Sequence, residues 1–197
     1  MKRIVIGMSG ATGAIYGVRM IEVLNQVKDV ETHLVMSSAA AMTINEETEY
    51  AAAEVIDMAD VHHKYGDIGA SISSGSFQVE GMIVAPCAIK SMSMISHSIN
   101  ENLLTRSADV TLKERRKLVL LVRETPLHLG HLRLMANLAE IGAIIQPPMP
   151  AFYHNPKSLD DIINHTVGRA LDHFHIEHNL FERWTGMSGN KKKRLKA

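Results

Sequence analysis

Hydroxyl-bearing side chains lie among glycines in the turn formed by residues 7–17, which reads GMSGATGAIYG. Glycine allows sharp turns and close approach to a ligand, and Ser9 and Thr12 add hydroxyl donors. The turn follows the apolar run Ile4-Val5-Ile6 and precedes a segment with helical periodicity. Because free N–H groups at a helix start bind phosphate, the turn predicts a phosphate-bearing ligand. The alternative is a merely tight strand-to-helix connection, since neither the P-loop nor the G-x-G-x-x-G pattern is present.

Charged side chains form two further candidate groups. Arg123 and Glu124 directly follow a buried apolar run; Arg can grip a phosphate in a bidentate manner and Glu can move a proton, although a structural ion pair is the alternative. The predicted helix 102–117 carries charges at spacings that share one face. The charged residues on that face are Arg106, Asp109, Lys113 and Arg116. The face is either an ordinary solvated surface or a basic surface that binds a phosphate or a neighbouring subunit.

The glutamates, histidines and single cysteine are weaker candidates for functional residues. Three glutamates lie within residues 46–49, where crowding raises the pKa of a carboxyl, although a solvated turn is the simpler interpretation. The 11 histidines include a group at residues 173–178, but no known metal-ligand spacing appears and no metal is predicted. Cys87 follows Pro86 at the end of an apolar run, which predicts burial and not catalysis.

The elements that position these residues alternate between apolar runs and helical segments. Strands are predicted at 2–6, 31–36, 81–85, 118–122 and 142–146, and helices at 12–26, 39–44, 51–59, from 89, 102–117, 127–140 and 158–175, with an irregular loop at 62–76. This pattern predicts a single α/β domain with a doubly wound parallel sheet, Rossmann-like or flavodoxin-like. Ligands bind at the carboxyl ends of such strands, where five polar segments fall: 7–13, Ser37, 86–91, 123–124 and 147–153.

Composition narrows the function classes. The 197 residues are 46% hydrophobic and 21% charged, with a formal net charge of zero, which gives no electrostatic sign of nucleic-acid binding. One cysteine excludes an internal disulfide. No signal peptide and no apolar run of membrane-spanning length is visible. We therefore expect a soluble cytoplasmic protein whose Lys-rich end is a solvated tail.

Six sequence blocks resemble the UbiX-type flavin prenyltransferases, from about residue 3 to Trp184. The small subunits B associated with hydroxyarylic (phenolic) acid decarboxylases are similar. The resemblance implies a flavin prenyltransferase domain over residues 1–184 and a basic, flexible tail at 185–197. The blocks lie at residues 7–17, 73–77 (SSGSF), 85–87 (APC), 102–116, 123–127 (RETPL) and 147–153 (PPMPAFY).

The resemblance implies an enzyme whose reaction needs no metal ion. The family binds FMN in a Rossmann-like domain and assembles as homododecamers built from trimers. It joins a dimethylallyl group from dimethylallyl phosphate to N5 and C6 of reduced FMN. The product, prenylated FMN, serves UbiD-type decarboxylases. Two alternatives stay open, namely a non-catalytic FMN carrier subunit and a flavin-dependent decarboxylase of aromatic acids.

The resemblance also implies roles by position. Glu47 and Glu124 would handle protons, and Thr12 would take part in catalysis. Three positions depart from many members: Thr12 and Ala88 replace Ser, and Ile68 stands where some carry Trp. Dimethylallyl phosphate would be held by Arg106, Lys113, Tyr153 and Arg169. FMN would be contacted by Ser9, Gly10, Ala11, Thr12, Ser37, Ala88, Ile89, Lys90, Ser91 and Arg123.

Overall fold

Six strands and seven α-helices alternate within residues 1–186, which the computed structural model of the chain describes. The predicted basic tail falls outside these residues except for its first two. The strands are β1 (Lys2–Met8), β2 (Val30–Met36), β3 (Val61–His63), β4 (Gly81–Cys87), β5 (Lys117–Val122) and β6 (Ile144–Ile145). The helices are α1 (Ala14–Asn25), α2 (Ser38–Glu47), α3 (Ala52–Met58), α4 (Ile89–Ser96), α5 (Leu103–Lys113), α6 (Leu129–Glu140) and α7 (Leu159–Asp172).

The strands form one parallel sheet in the order β3-β2-β1-β4-β5-β6. The predicted doubly wound parallel sheet is therefore confirmed. The strand order reverses direction between β1 and β4, which pair directly from Ile4 opposite Gly81 to Gly7 opposite Val84. A crevice at the carboxyl ends of these two strands is the expected ligand position in such a sheet.

Alternate side chains of each strand enter two separate cores, because strand side chains point to opposite faces in turn. Ile4 and Ile6 of β1 pack into a core shared with α1, α2, α3 and α7, whereas Val5 enters the core of α4, α5 and α6. Both cores are fully apolar at their centres and closed to solvent. Packing against one sheet therefore fixes the positions of the helices on both faces relative to the carboxyl ends of the strands.

Several boundaries differ from the sequence prediction, and two of the differences have clear local reasons. The prediction left β3 within an irregular loop because its three residues include two histidines and no apolar run. Helix α5 ends at Lys113, four residues earlier than predicted, because Arg115 adopts a positive φ of 57° and Lys117 already begins β5. Ser37 caps α2 and Ser158 caps α7, as hydroxyl residues before a helix commonly do.

Gly17 lets α1 lie directly against β4. A Cβ at this buried position would stand 2.3 Å from the carbonyl oxygen of Ala85. We expect Gly17→Ala to lower the free energy of unfolding by about 1–3 kcal/mol, because backbone cannot move aside cheaply. Gly66→Ala is the control, since a Cβ there meets nothing within 4 Å. Equal denaturation midpoints for the two variants would contradict this packing.

Candidate active site

Ser9 joins the turns that follow β1 and β4. Its buried hydroxyl donates to the carbonyl oxygen of Pro86 at 2.9 Å and accepts the N–H of Ala88 at 2.7 Å. These bonds cross the point where the strand order reverses. Ser9 therefore fixes the start of α4, and the predicted flavin-contacting segment 88–91 is held in place by it.

Two helices begin at this crevice without a side-chain cap of their own. Helix α1 starts after Gly13, which has a φ of 91°, and α4 starts after Ala88. By contrast, Ser37 Oγ accepts the N–H of Ala40 at 3.1 Å at the start of α2. Uncapped N–H groups together with the helix dipole attract an anion. The α4 start, with the predicted residues Ile89, Lys90 and Ser91, thus offers an anion-binding position.

The start of α1 is capped by the carboxylate of Glu47. Its Oε2 accepts the N–H groups of Gly13 at 2.7 Å and Ala14 at 3.2 Å. Burial alone would raise the pKa of this carboxyl, but the Thr12 hydroxyl, these two N–H groups and the Arg123 charge bring its pKa below the usual value. A charged carboxylate therefore lies where the glycine-rich turn alone suggested a phosphate.

Glu47→Gln tests this arrangement through stability. We expect a loss of about 0.5–1 kcal/mol at neutral pH, because the Glu47 side chain is exposed and the helix dipole acts weakly there. Since the folded-state pKa is lowered, the stabilisation is present above the unfolded-state pKa and is lost as pH falls through the folded value. Melting temperatures of wild type and variant should converge in acid. Glu46→Gln is the control, and a gap that persists in acid would contradict the account.

Arg123 and Glu124 follow β5 at the same edge. The Arg123 N–H donates to the carbonyl oxygen of Cys87 at 3.1 Å, which ties the end of β5 to the end of β4. Glu124 is exposed, and its Oε1 accepts the N–H of Thr125 at 2.9 Å. The fold therefore brings Thr12, Glu47 and Arg123 together, with the Glu124 carboxyl at the solvent side of the same edge.

Arg106 and Lys113 both lie on α5, Arg106 in its first turn and Lys113 at its end. The Arg106 Nε donates to the carbonyl oxygen of Ser73 at 3.2 Å, and its guanidinium lies 3.6 Å from the Asp109 carboxylate. Lys113 pairs with Glu114. Because α5 leads into β5, Lys113 lies toward the amino-terminal edge of the sheet.

Tyr153 and Arg169 lie with α7 on the opposite face of the sheet from α5. The Arg169 Nη1 is 2.8 Å from Asp172 Oδ2, and the Tyr153 hydroxyl is 2.8 Å from Nε2 of His165. The end of α7 reaches the amino-terminal edge, where the Lys2 ammonium donates to the carbonyl oxygen of Phe174 at 3.3 Å. The two predicted phosphate-binding pairs thus belong to opposite faces of the sheet.

Two other candidate residues, Arg116 and Cys87, are held in structural contacts. Arg116 lies beyond α5 and donates to the carbonyl oxygens of Gly75 at 2.6 Å and Phe77 at 2.9 Å, so it holds the SSGSF loop. Burial raises the pKa of the Cys87 thiol to about 12, which makes it a poor nucleophile. Among residues 1–186, no group of three or more His, Cys, Asp or Glu side chains is placed to hold a metal ion, and no helix is long and apolar enough to cross a membrane.

Sequence reasoning missed the partners of the predicted site. His165 is one of 11 histidines and received no role, although it stands four residues before Arg169 on one helix face. The contact of Glu47 with the α1 start joins residues 33 and 34 positions apart. No local pattern signals such a contact, whereas the i, i+4 spacing to Arg169 was a usable signal for His165.

The fold and this edge define a doubly wound nucleotide-binding α/β domain. Residues 1–170 match the Flavoprotein family. The flavin prenyltransferase UbiX of Escherichia coli K12 is 63% identical over 188 residues, covering 94% of this chain and 100% of that protein. The chain belongs to the UbiX family of flavin prenyltransferases.

Two solved structures agree with this assignment. A dodecameric FMN-dependent UbiX-like decarboxylase from Escherichia coli O157:H7 is 48% identical with a TM-score of 0.92, covering 93% of this chain and 100% of that one. AnUbiX (PadA1), in complex with FMN and dimethylallyl pyrophosphate, is 48% identical with a TM-score of 0.92, covering 94% of this chain and 98% of that one. The family resemblance predicted from the sequence blocks is confirmed.

Proposed function

We propose that this protein joins a dimethylallyl group from dimethylallyl phosphate to N5 and C6 of reduced FMN, in the cytoplasm. The prenylated FMN then serves a UbiD-type decarboxylase. The observation that carries the proposal is the carboxyl edge of the sheet. There the uncapped start of α4, the charged Glu47 and the Arg123-Glu124 pair meet, in a chain that matches a UbiX enzyme over that protein's whole length.

The crevice fits a flavin phosphate. Ser9 fixes Ala88, so the first N–H groups of α4 are oriented for an anion. A Cβ at Gly10 would stand 2.3 Å from the Cβ of Ala39, so glycine lets the turn lie tightly against α2 and present backbone to a ligand. Reduced FMN, when bound, supplies the nucleophilic N5 and C6.

The chain's own residues handle the charge and the protons. The C–O bond of dimethylallyl phosphate breaks and the phosphate departs with its electron pair, so cations and hydroxyl donors around it lower the barrier. Glu124 protonates the departing phosphate. When the prenyl tertiary carbon bonds to C6, the prenyl double bond takes up one proton, which the released phosphate can supply, and C6 loses one. The carboxylate of Glu47 lies at this edge and can accept the proton lost at C6. The phosphate is held by Arg106, Lys113, Tyr153 and Arg169.

The phosphate site is completed by more than one copy of the chain. Arg106 and Lys113 lie on one face of the sheet, and Tyr153 and Arg169 on the other. A neighbouring copy can bring one pair near the other. A dodecamer built from trimers, as the sequence resemblance predicts, meets this need, and a structural relative is dodecameric.

A reconstitution separates the candidate functions. The protein is incubated without oxygen with reduced FMN and dimethylallyl phosphate, and the mixture is then given to an apo UbiD-type decarboxylase. We expect activation only when both substrates were present. A carrier subunit would activate with FMN alone. A decarboxylase is the second candidate, because one structural relative is described as a decarboxylase, and it would release CO2 from an aromatic acid without a partner.

A further inference from the structure

Tyr153 projects its hydroxyl onto a side chain that has no assigned role. The tyrosine lies between β6 and α7 and is 48% exposed. Its hydroxyl oxygen is 2.8 Å from Nε2 of His165. The Tyr153 ring meets the rings of His154, His165 and Trp184 edge to face, with centroids 5.5, 5.6 and 5.5 Å away. Three rings and one hydrogen bond therefore set its direction.

His165 is itself held rigidly. It is buried in α7, stacks on His154 with centroids 4.6 Å apart and an interplanar angle of 6°, and packs on Phe181 at 4.7 Å. Arg169 stands one helical turn further along α7, on the same face. Burial and the charges of His154 and Arg169 lower the pKa of His165, which favours the neutral imidazole. A rigid, neutral ring thus faces the phenol.

We propose that His165 is the positioning residue of Tyr153 for the allylic phosphate. The inference rests on the proposed function, in which Tyr153 binds that phosphate. The phenol can give its single O–H to the phosphate only when it does not donate that hydrogen to His165, so the phenol oxygen must be the acceptor in the bond between the two side chains. The imidazole tautomer that carries hydrogen on Nε2 supplies that bond. In such a chain each hydrogen bond strengthens the next.

The test uses a double-mutant cycle on the assembled protein. His165→Phe keeps a stacking ring but removes the hydrogen bond, and Tyr153→Phe removes the hydroxyl. We expect each single variant to raise the KM for dimethylallyl phosphate about tenfold, the worth of one hydrogen bond. The double variant should also lose about tenfold and not about a hundredfold, because both changes remove the same interaction. FMN affinity should stay unchanged.

Two further measurements exclude a merely structural role. Calorimetric titration of dimethylallyl phosphate into the protein bound to oxidised FMN, where no turnover occurs, should show the same tenfold weakening. His165→Gln, which retains an N–H donor, should recover most of the binding. If His165→Phe loses the oligomer, His165→Leu carries the same expectation.

The outcomes distinguish the inference from the proposed function. The role of His165 is overturned if the double variant loses about a hundredfold in affinity for dimethylallyl phosphate, or if His165→Phe binds it as tightly as wild type. In both cases the wild-type enzyme still prenylates FMN, so the proposed function stands. If the wild-type protein neither binds dimethylallyl phosphate nor prenylates FMN, the proposed function itself fails.

Discussion

Glu124→Gln should lower the turnover of prenyl transfer by a factor of about 10²–10⁴. The amide keeps the size of the side chain but cannot protonate the departing phosphate. Glu124 is exposed at the carboxyl edge, and its Oε1 accepts only the neighbouring N–H of Thr125 among the hydrogen bonds described for residues 1–186. The measurement is single-turnover formation of prenylated flavin, which separates chemistry from product release.

The matched control for Glu124→Gln is Glu46→Gln, an exposed carboxyl on α2 with no proposed part in the reaction. We expect the control to turn over at the wild-type rate, and both variants to bind FMN as wild type does. Full turnover by Glu124→Gln would show that the phosphate leaves without this acid. Absence of turnover in the wild-type protein that binds FMN would instead reopen the carrier interpretation.

Arg106→Ala and Arg169→Ala should each reduce prenyl transfer by about 10²–10³-fold as pure oligomers, because each removes a cation from the developing phosphate charge. The two arginines lie on helices that cover opposite faces of the sheet. If one site takes α5 from one copy and α7 from another, mixed oligomers contain intact sites. Random mixing in equal amounts makes about a quarter of the sites intact.

Co-expression of the two variants with different affinity tags, followed by purification through both tags, yields the mixed oligomer for this experiment. We expect its activity to reach about a quarter of wild type, far above either parent. The control is a mixture of Arg106→Ala with Lys113→Ala. Both of these residues lie on α5, so no intact site can form if α5 comes from a single copy. If the oligomer that mixes Arg106→Ala with Arg169→Ala is no more active than either pure variant, both arginines of a site come from one chain.

Local chemistry made much of the fold predictable. Apolar runs of strand length identified five of the six strands within residues 1–186. The three-residue β3 carried no such run and was missed. The end of α5 was set too late because its charged surface pattern continues through Arg115 and Arg116, whereas the backbone turns at Arg115.

The sequence allowed us to predict where the site lies and which residue types it contains, but not how those residues contact one another. The rule for parallel sheets places Thr12 and Arg123 at one edge, and they are found there with Glu47 between them. That Glu47 caps α1 depends on packing of α2, which no local spacing shows. The family resemblance assigned four residues to one phosphate, but only the fold shows that α5 and α7 lie on opposite faces. The proposal of a second copy at the site therefore rests on the fold and not on the sequence.

The most direct test of the central claim is the mass of the flavin after reaction. The protein is mixed without oxygen with reduced FMN and dimethylallyl phosphate, and the flavin is extracted and analysed by mass spectrometry. We expect a flavin heavier than FMN by one five-carbon prenyl unit, formed in step with released phosphate and absent without protein. Recovery of unchanged FMN alone, from protein that binds both substrates, would contradict it.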